Sequence, residues 1–172
     1  MGAVAEARWL DDREQRMWRA YLRMRTSLDR VLEQELFATS GLSGADFAVL
    51  VPLSEAPDHR LRPRDLGVRM AWDRSRLSHQ IKRMERRGLI ERADCPTDAR
   101  GTFIQLTEHG WQSIQMAAPP HVDGIRAHFV DMLTAEEIDS LTVIAERVGE
   151  TLAAGLAEAV ETACSTSHPD DD

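Results

Sequence analysis

The sequence predicts a mainly α-helical chain carrying one small β-hairpin, an α+β arrangement. Three observations carry this. Apolar residues recur at helical spacing toward both ends of the 172-residue chain. Helix-capping patterns stand at Ser43/Asp46, Asp73, Thr107 and Thr134/Glu137. Two short apolar stretches flank a polar turn near residue 98. A composition of 42% apolar and 29% charged residues is that of a folded domain rather than a disordered one.

The elements follow in order. Residues 11–37 read as one long helix, with Trp18, Tyr21, Leu22, Leu28, Val31, Leu32 and Phe37 near helical spacing. It is too long for a single two-layer core to cover. Gly41 punctuates. Ser43 and Asp46 open a second helix, Gly44 to about Ser54, and Pro57 breaks the chain in a turn over Glu55–His59. A third helix starts at Pro63, whose missing N–H costs nothing at a first helical position, and runs to about Met70. After a turn at Trp72, Asp73 caps a fourth helix through Arg87, and Gly88 ends it.

Leu89–Cys95 and Thr102–Leu106 read as strands joined by a polar tip, Pro96–Gly101. Thr107 caps a fifth helix. Pro119 and Pro120 are expected to kink or break it before it resumes to about Leu133. Thr134 and Glu137 open a last helix with Ile138, Leu141, Ile144, Val148, Leu152 and Leu156 on one side. Residues 161–172, Ser/Thr/Asp-rich from Cys164 on, are expected to be a frayed or disordered tail.

The formal charge is −8, but it is uneven. Residues 60–100 hold 12 Lys and Arg against six Asp and Glu, a local balance of +6, while the other 131 residues carry −14. A basic patch on an acidic body holds a polyanion at one place and repels it elsewhere. No apolar run approaches a membrane span of about 18 residues, and residues 1–9 lack the pattern of a signal peptide. Two cysteines, Cys95 and Cys164, imply no disulfide framework, which fits a reducing, cytoplasmic setting.

Helix, helix, helix, strand, tip, strand, with a basic centre, is the plan of a winged helix-turn-helix. In the fourth helix Leu77, Ile81 and Met84 share one inward face. Arg74, Ser75, Arg76, Ser78, His79, Lys82 and Arg83 remain on the outer surface, with donors suited to base edges and phosphates. Ser75, Arg76, Ser78 and His79 lie in the half that such helices present to bases. In the hairpin tip, Arg100 is sized for a minor groove, and Asp98 is placed to fix an arginine's direction.

Asp98-x-Arg100, followed by Leu106-Thr107-x-x-Gly110, resembles the signature of the MarR family of bacterial transcription regulators. Arg76-Leu77-Ser78-His79-Gln80-Ile81, Arg83-Met84-Glu85-x-x-Gly88-Leu89-Ile90 and Gly41-Leu42-Ser43 extend the likeness over about residues 11–156. The resemblance implies an obligate homodimer. Residues 11–40 and 108–160 would form the dimerisation region and residues 41–107 the DNA-binding lobe. Two recognition helices would sit about 34 Å apart over a pseudo-palindromic operator. It also implies base reading by Arg76, Ser78 and His79, a minor-groove role for Arg100 and the wing-aspartate role for Asp98. Thr107 and Gly110 would serve architecture.

Relatives of this type release DNA on binding small anionic or aromatic effectors, and Trp18, Tyr21, Trp72, Trp111 and His121 are the residues that would line such a crevice here, set against plain core packing for each. Phe47 is followed by Ala48 rather than an acid, which argues against urate. Cys95 is a candidate for oxidation or simply a small residue. His109, His121 and His128 match no tight metal-ligand spacing, so no metal or other cofactor is expected. No P-loop, dinucleotide-binding glycine pattern, nucleophile elbow or zincin motif supports the rival reading as an enzyme, so no catalytic residues are assigned. A helical adaptor without DNA binding would explain the long terminal helices but not the +6 segment.

Overall fold

The structure is a computed structural model that describes residues 7–95 and 98–165; for residues 94–101, 154 and 156–165 only the backbone is described. It falls into two compact units dividing between Arg126 and Ala127.

The first unit begins with α1 (Asp12–Ser40), whose N-cap Asp11 and Glu14 exchange hydrogen bonds as a capping box. Gly41, at φ +66°, ends it, and Ser43 with Asp46 forms the next capping box on α2 (Gly44–Glu55). A short 3-10 turn (Pro57–His59) leads into β1 (Arg60–Leu61) and α3 (Pro63–Met70). Asp73 then caps α4 (Arg74–Arg86), accepting from the Arg76 N–H at 2.8 Å. Beyond α4, Gly88 ends the helix as the sequence predicts; at φ +67° it donates to Glu85 while Leu89 donates to Met84, a Schellman arrangement.

β2 (Ile90–Cys95) and β3 (Asp98–Leu106) pair antiparallel, and β1 adds on the other side of β3, giving the order β1-β3-β2. The two-residue β1 went unpredicted because two residues carry no periodicity. β3 also begins four residues earlier than expected, so Asp98 and Arg100 belong to a strand and not to the turn; the ladder reaches out to Cys95 opposite Asp98, past an irregularity at Asp94/Cys95. The tip residues Pro96 and Thr97 and the side chains of Asp98 and Arg100 lie outside the described residues.

α5 (Glu108–His128) follows Thr107, whose hydroxyl donates to the Gly88 carbonyl at 2.6 Å and accepts from the Gly110 N–H at 3.0 Å. Contrary to expectation, α5 is one helix through Pro119 and Pro120. Both prolines are exposed, and buried Ile114, Ala117 and Gly124 anchor the turns that flank them. The helix ends at His128 rather than near Leu133.

The second unit holds a 3-10 turn (Val130–Met132) and α6 (Ala135–Ser165), opened by the predicted Thr134/Glu137 box. α6 continues through residues 161–165, including Cys164, so the expected tail does not begin there; its run of Ala and Glu favours helix. Residues 166–172 lie outside the described residues. No single helix among the described residues is long and apolar enough to cross a membrane.

The core is wholly aliphatic apart from Met84, with Val49, Leu50 and Leu53 of α2 and Leu66 of α3 facing Met84 of α4 and Ile104 of β3, all essentially inaccessible. One charged side chain sits among them. Asp46 is 0% exposed. Its carboxylate accepts from the Ser43 N–H and hydroxyl (2.9 and 2.7 Å), from Gln80 Nε2 (2.7 Å) and from Arg87 (2.5 Å), with Arg83 at 3.4 Å. Arg87 also donates to the Gly41 carbonyl. Burial alone raises the Asp46 pKa, but the Ser43 hydrogen bonds and the Arg87 charge more than offset it, and the net shift is downward. The cluster ties α4 to the N-terminus of α2 across 34 to 41 residues of sequence.

Two predictions follow from this packing. A Cβ on Gly110 would stand 1.9 Å from the Leu89 carbonyl oxygen, so Gly110→Ala should destabilise by roughly 1–3 kcal/mol or more. Gly149→Ala, inside α6 with nothing within 4 Å, should instead stabilise by about 0.5–1 kcal/mol; urea unfolding of the two variants compares them directly. Asp46→Asn should lower unfolding free energy by roughly 1–3 kcal/mol at neutral pH, because Arg83 and Arg87 are half-exposed and return to water. The sign with pH follows from the lowered pKa. The contribution is complete above the ordinary carboxylate value of 3.8 and is lost as pH falls through the lower folded value. Stability measured between about pH 2 and 5 should therefore show a steeper acid limb in the wild type than in Asp46→Asn.

Candidate nucleic-acid interface

α4 is built as the sequence predicts, with Leu77, Ile81 and Met84 buried. Arg74, Ser75, Arg76, His79, Lys82 and Arg83 are exposed, and Ser78 is half-buried at the margin. Five of these seven, Arg74, Ser75, Arg76, His79 and Lys82, are solvent-facing and free of core duties. Arg83 is different, because its Nη2 donates to the Ser43 hydroxyl at 2.9 Å and reaches Asp46. It is tied back into the lobe. Gln80, on the same helix, is buried and belongs to the Asp46 cluster.

Arg76 is held from two sides. Its N–H is bound by the cap, and its guanidinium carbon lies 4.0 Å from the centre of the Trp72 ring. The cap aspartate leaves the first turn of α4 with a fixed backbone, and the aromatic face takes the cation.

A second group of cations gathers at the root of the hairpin. Arg60 and Arg62 place their guanidinium carbons 5.1 and 5.3 Å from the Phe103 ring centre. Arg60 also donates to Asp58 at 3.0 Å. Asp58 and His59 both have left-handed backbones, φ 55° and 52°, an uncommon state for such residues. His59 Nδ1 donates to the Ser54 carbonyl at 3.1 Å, and its ring stacks on Trp111 at 4.3 Å, which holds the turn that delivers β1. Sequence reading missed Phe103 and Arg62. The signal present was an aromatic in a short strand next to an arginine-rich segment, legible only once β1 is known to pair with β3.

The five residues named for an effector crevice occupy four settings. Trp18 and Tyr21 stack on each other along α1, ring centres 5.6 Å apart, with both rings substantially exposed. Trp72, besides meeting Arg76, borders a concavity of about 380 Å³ with Val51, Pro52, Glu55, Arg69 and Met70. Trp111 packs against His59. His121 lies 4.5 Å from the Phe47 ring, and its buried Nδ1 has no hydrogen-bond partner among the described residues. Burial lowers the His121 pKa, with nearby Glu35 opposing.

Comparison with known proteins agrees with this geometry. A family model described as MarR family matches residues 40–101. AbsC, a MarR family transcriptional regulator from Streptomyces coelicolor, is 40% identical with a TM-score of 0.82, covering 86% of this chain and 99% of that one. Sco3205, a MarR family transcriptional regulator from the same organism solved in complex with DNA, is 40% identical with a TM-score of 0.81, covering 86% and 92%. MhqR of Bacillus subtilis (strain 168), an HTH-type transcriptional regulator, is 30% identical over 109 residues, which are 63% of this chain and 73% of that one. With sequence likeness and fold likeness spanning nearly the full length of solved relatives, this chain belongs to the MarR family of transcriptional regulators.

Proposed function

We propose that the chain is a cytoplasmic, homodimeric repressor that binds a pseudo-palindromic double-stranded operator and leaves it when a small anionic or aromatic effector binds. The observation that carries this reading is the outer face of α4. Arg74, Ser75, Arg76, His79 and Lys82 are exposed donors on a helix fixed by an N-cap, a Schellman stop and a buried ion cluster. A helix about 10–12 Å across fits a major groove roughly 12 Å wide. Arg76, Ser78 and His79 read bases, while Arg74 and Lys82 meet phosphates. Arg83 belongs to the scaffold. On β3, Arg100 enters the flanking minor groove, and Asp98 directs it.

Dimerisation is supported by uncovered apolar surface. On α1, Met17, Trp18, Tyr21 and Met24 are 41–60% exposed. On α6, Ile138, Leu141, Ile144, Val148 and Leu152 are 37–63% exposed at helical spacing. Such stripes mark protein interfaces rather than water-facing surface. Residues 11–40 and 108–160 supply them, and residues 41–107 form the lobe. Two-fold pairing then repeats α4 about one duplex turn away, ~34 Å. The concavity beside Trp72 has the volume of a small-ligand site, and its lining includes one cation, Arg69, and one carboxylate, Glu55. An effector that prefers a lobe spacing unmatched to the half-sites weakens binding by its differential affinity for the two states.

The test is a footprint and titration on the DNA flanking the chain's own gene, with a reporter whose transcription should rise when the gene is deleted. Arg76→Ala should cost affinity for the operator and little for random duplex, whereas Arg60→Ala should lower both alike. Log affinity should fall with log salt by about 0.9 per phosphate neutralised, and a flat response overturns the electrostatic picture. Arg100→Ala should lose roughly 1–3 kcal/mol of operator affinity; an unchanged dissociation constant removes the wing from the mechanism.

A further inference from the structure

We infer that Trp72 is a positioning residue for base reading: its indole face holds the Arg76 guanidinium in place before DNA arrives. The inference rests on the assignment of α4 as the reading helix and goes one step past it, to what sets the aim of that helix's arginine.

A guanidinium carbon 4.0 Å from a ring centre lies over the ring face, because an approach in the ring plane would bring it into the ring atoms. A guanidinium stacked parallel on a ring keeps the in-plane N–H donors at its edge free. Those edge donors are the ones that bond guanine O6 and N7 in pairs. Stacking and base reading are thus compatible uses of the same group. An ion pair would occupy the edge instead, and no carboxylate pairs with Arg76 among the described residues.

The platform is itself fixed. Trp72 is half-buried with its side chain packed against the aliphatic core, and its backbone N–H donates to the Gly67 carbonyl at 3.1 Å. The backbone bond ties the residue to the end of α3, and the core packing backs the ring at the α3–α4 corner. Arg76 is also fixed at its backbone by Asp73. A long, flexible side chain thus has its backbone origin fixed and its guanidinium held against the ring. No aromatic ring meets Arg74 or Lys82 among the described residues. Positioning distinguishes the proposed reader from the proposed phosphate contacts.

The experiment measures operator and random-duplex affinity for the full-length wild type, Arg76→Ala, Trp72→Leu, Trp72→Tyr and the double variant Trp72→Leu/Arg76→Ala. Arg76→Ala should lower the operator-to-random ratio by roughly tenfold or more. Trp72→Leu should lower the same ratio by roughly two- to fivefold, and Trp72→Tyr should restore most of it. With alanine at position 76, Trp72→Leu should change nothing further. Equal losses on both duplexes, or the same loss with and without Arg76, overturn the inference while leaving Arg76 as a reader. An unchanged ratio in Arg76→Ala overturns the reader assignment, and the inference with it.

A second measurement does not depend on how well the Trp72 variants fold. In the free wild-type protein, the Arg76 Nε–H resonance, identified by its loss in Arg76→Lys, should be shifted upfield by the indole ring current. A position among the ordinary arginine signals overturns the inference.

Discussion

The buried carboxylate of Asp46 is the constraint on which the DNA-facing geometry depends. An ionised group with no access to water is tolerated only when its oxygens are fully paired, and here Ser43, Gln80 and Arg87 pair them. The pairing is geometrically demanding. It requires the N-terminus of α2 and the second half of α4 to meet at one angle, since a tilt of either helix would strand a charge in the aliphatic core. Apolar packing between Leu50, Leu53 and Met84 supplies cohesion but tolerates sliding. The carboxylate supplies direction, and with it the angle at which the outer face of α4 is presented to solvent.

This cluster also explains how an acidic chain carries a basic outer face on α4. The twelve cations of residues 60–100 do not act alike. Arg83 and Arg87 are turned inward on Asp46, Arg92 pairs with Glu85 at 2.9 Å, and Arg60 pairs with Asp58. The pairs to Asp46 and Glu85 fasten elements together, while Arg60–Asp58 lies within a single turn. Arg74, Arg76 and Lys82 have no ion-pair partner among the described residues, and they gather on the one helix face that has no packing role. The net charge of the segment is thus less informative than the division within it.

Much of this was legible in the sequence because it depends on neighbours. The caps at Ser43, Asp73 and Thr134 and the stops at Gly41 and Gly88 act within a few residues, and the inward face of α4 follows from spacing alone. What was hidden depends on distant partners. Arg83 reads as a candidate DNA contact until Asp46, 37 residues away, is placed beside it, and nothing near Gln80 in sequence marks its partner, 34 residues away. Arg100 reads as a loop residue until the β2–β3 ladder is seen to continue past residue 101. The diproline in α5 misleads for a related reason. Local chemistry argues for a break, but the buried positions on either side of it hold the helix in register.

The aromatic residues teach the same distinction more sharply. The fully buried core contains none of the nine Phe, Trp and Tyr. Five of them instead meet a guanidinium or an imidazole: Tyr21 with Arg25, Trp72 with Arg76, Phe103 with Arg60 and Arg62, Trp111 with His59, and Phe47 with His121. Three of these sit where the chain turns into or out of the DNA-facing elements, at the α3–α4 corner, the hairpin root and the entry to β1. A ring face attracts a cation without consuming its edge donors, and a ring is stiffer than the side chain it holds. Aliphatic residues therefore make this lobe stable, while its aromatic residues make it aim. Reading Trp72 and Trp111 first as the walls of a ligand crevice follows from their size and polarity; their neighbours give them an additional and more local task, which is to set where nearby basic side chains point.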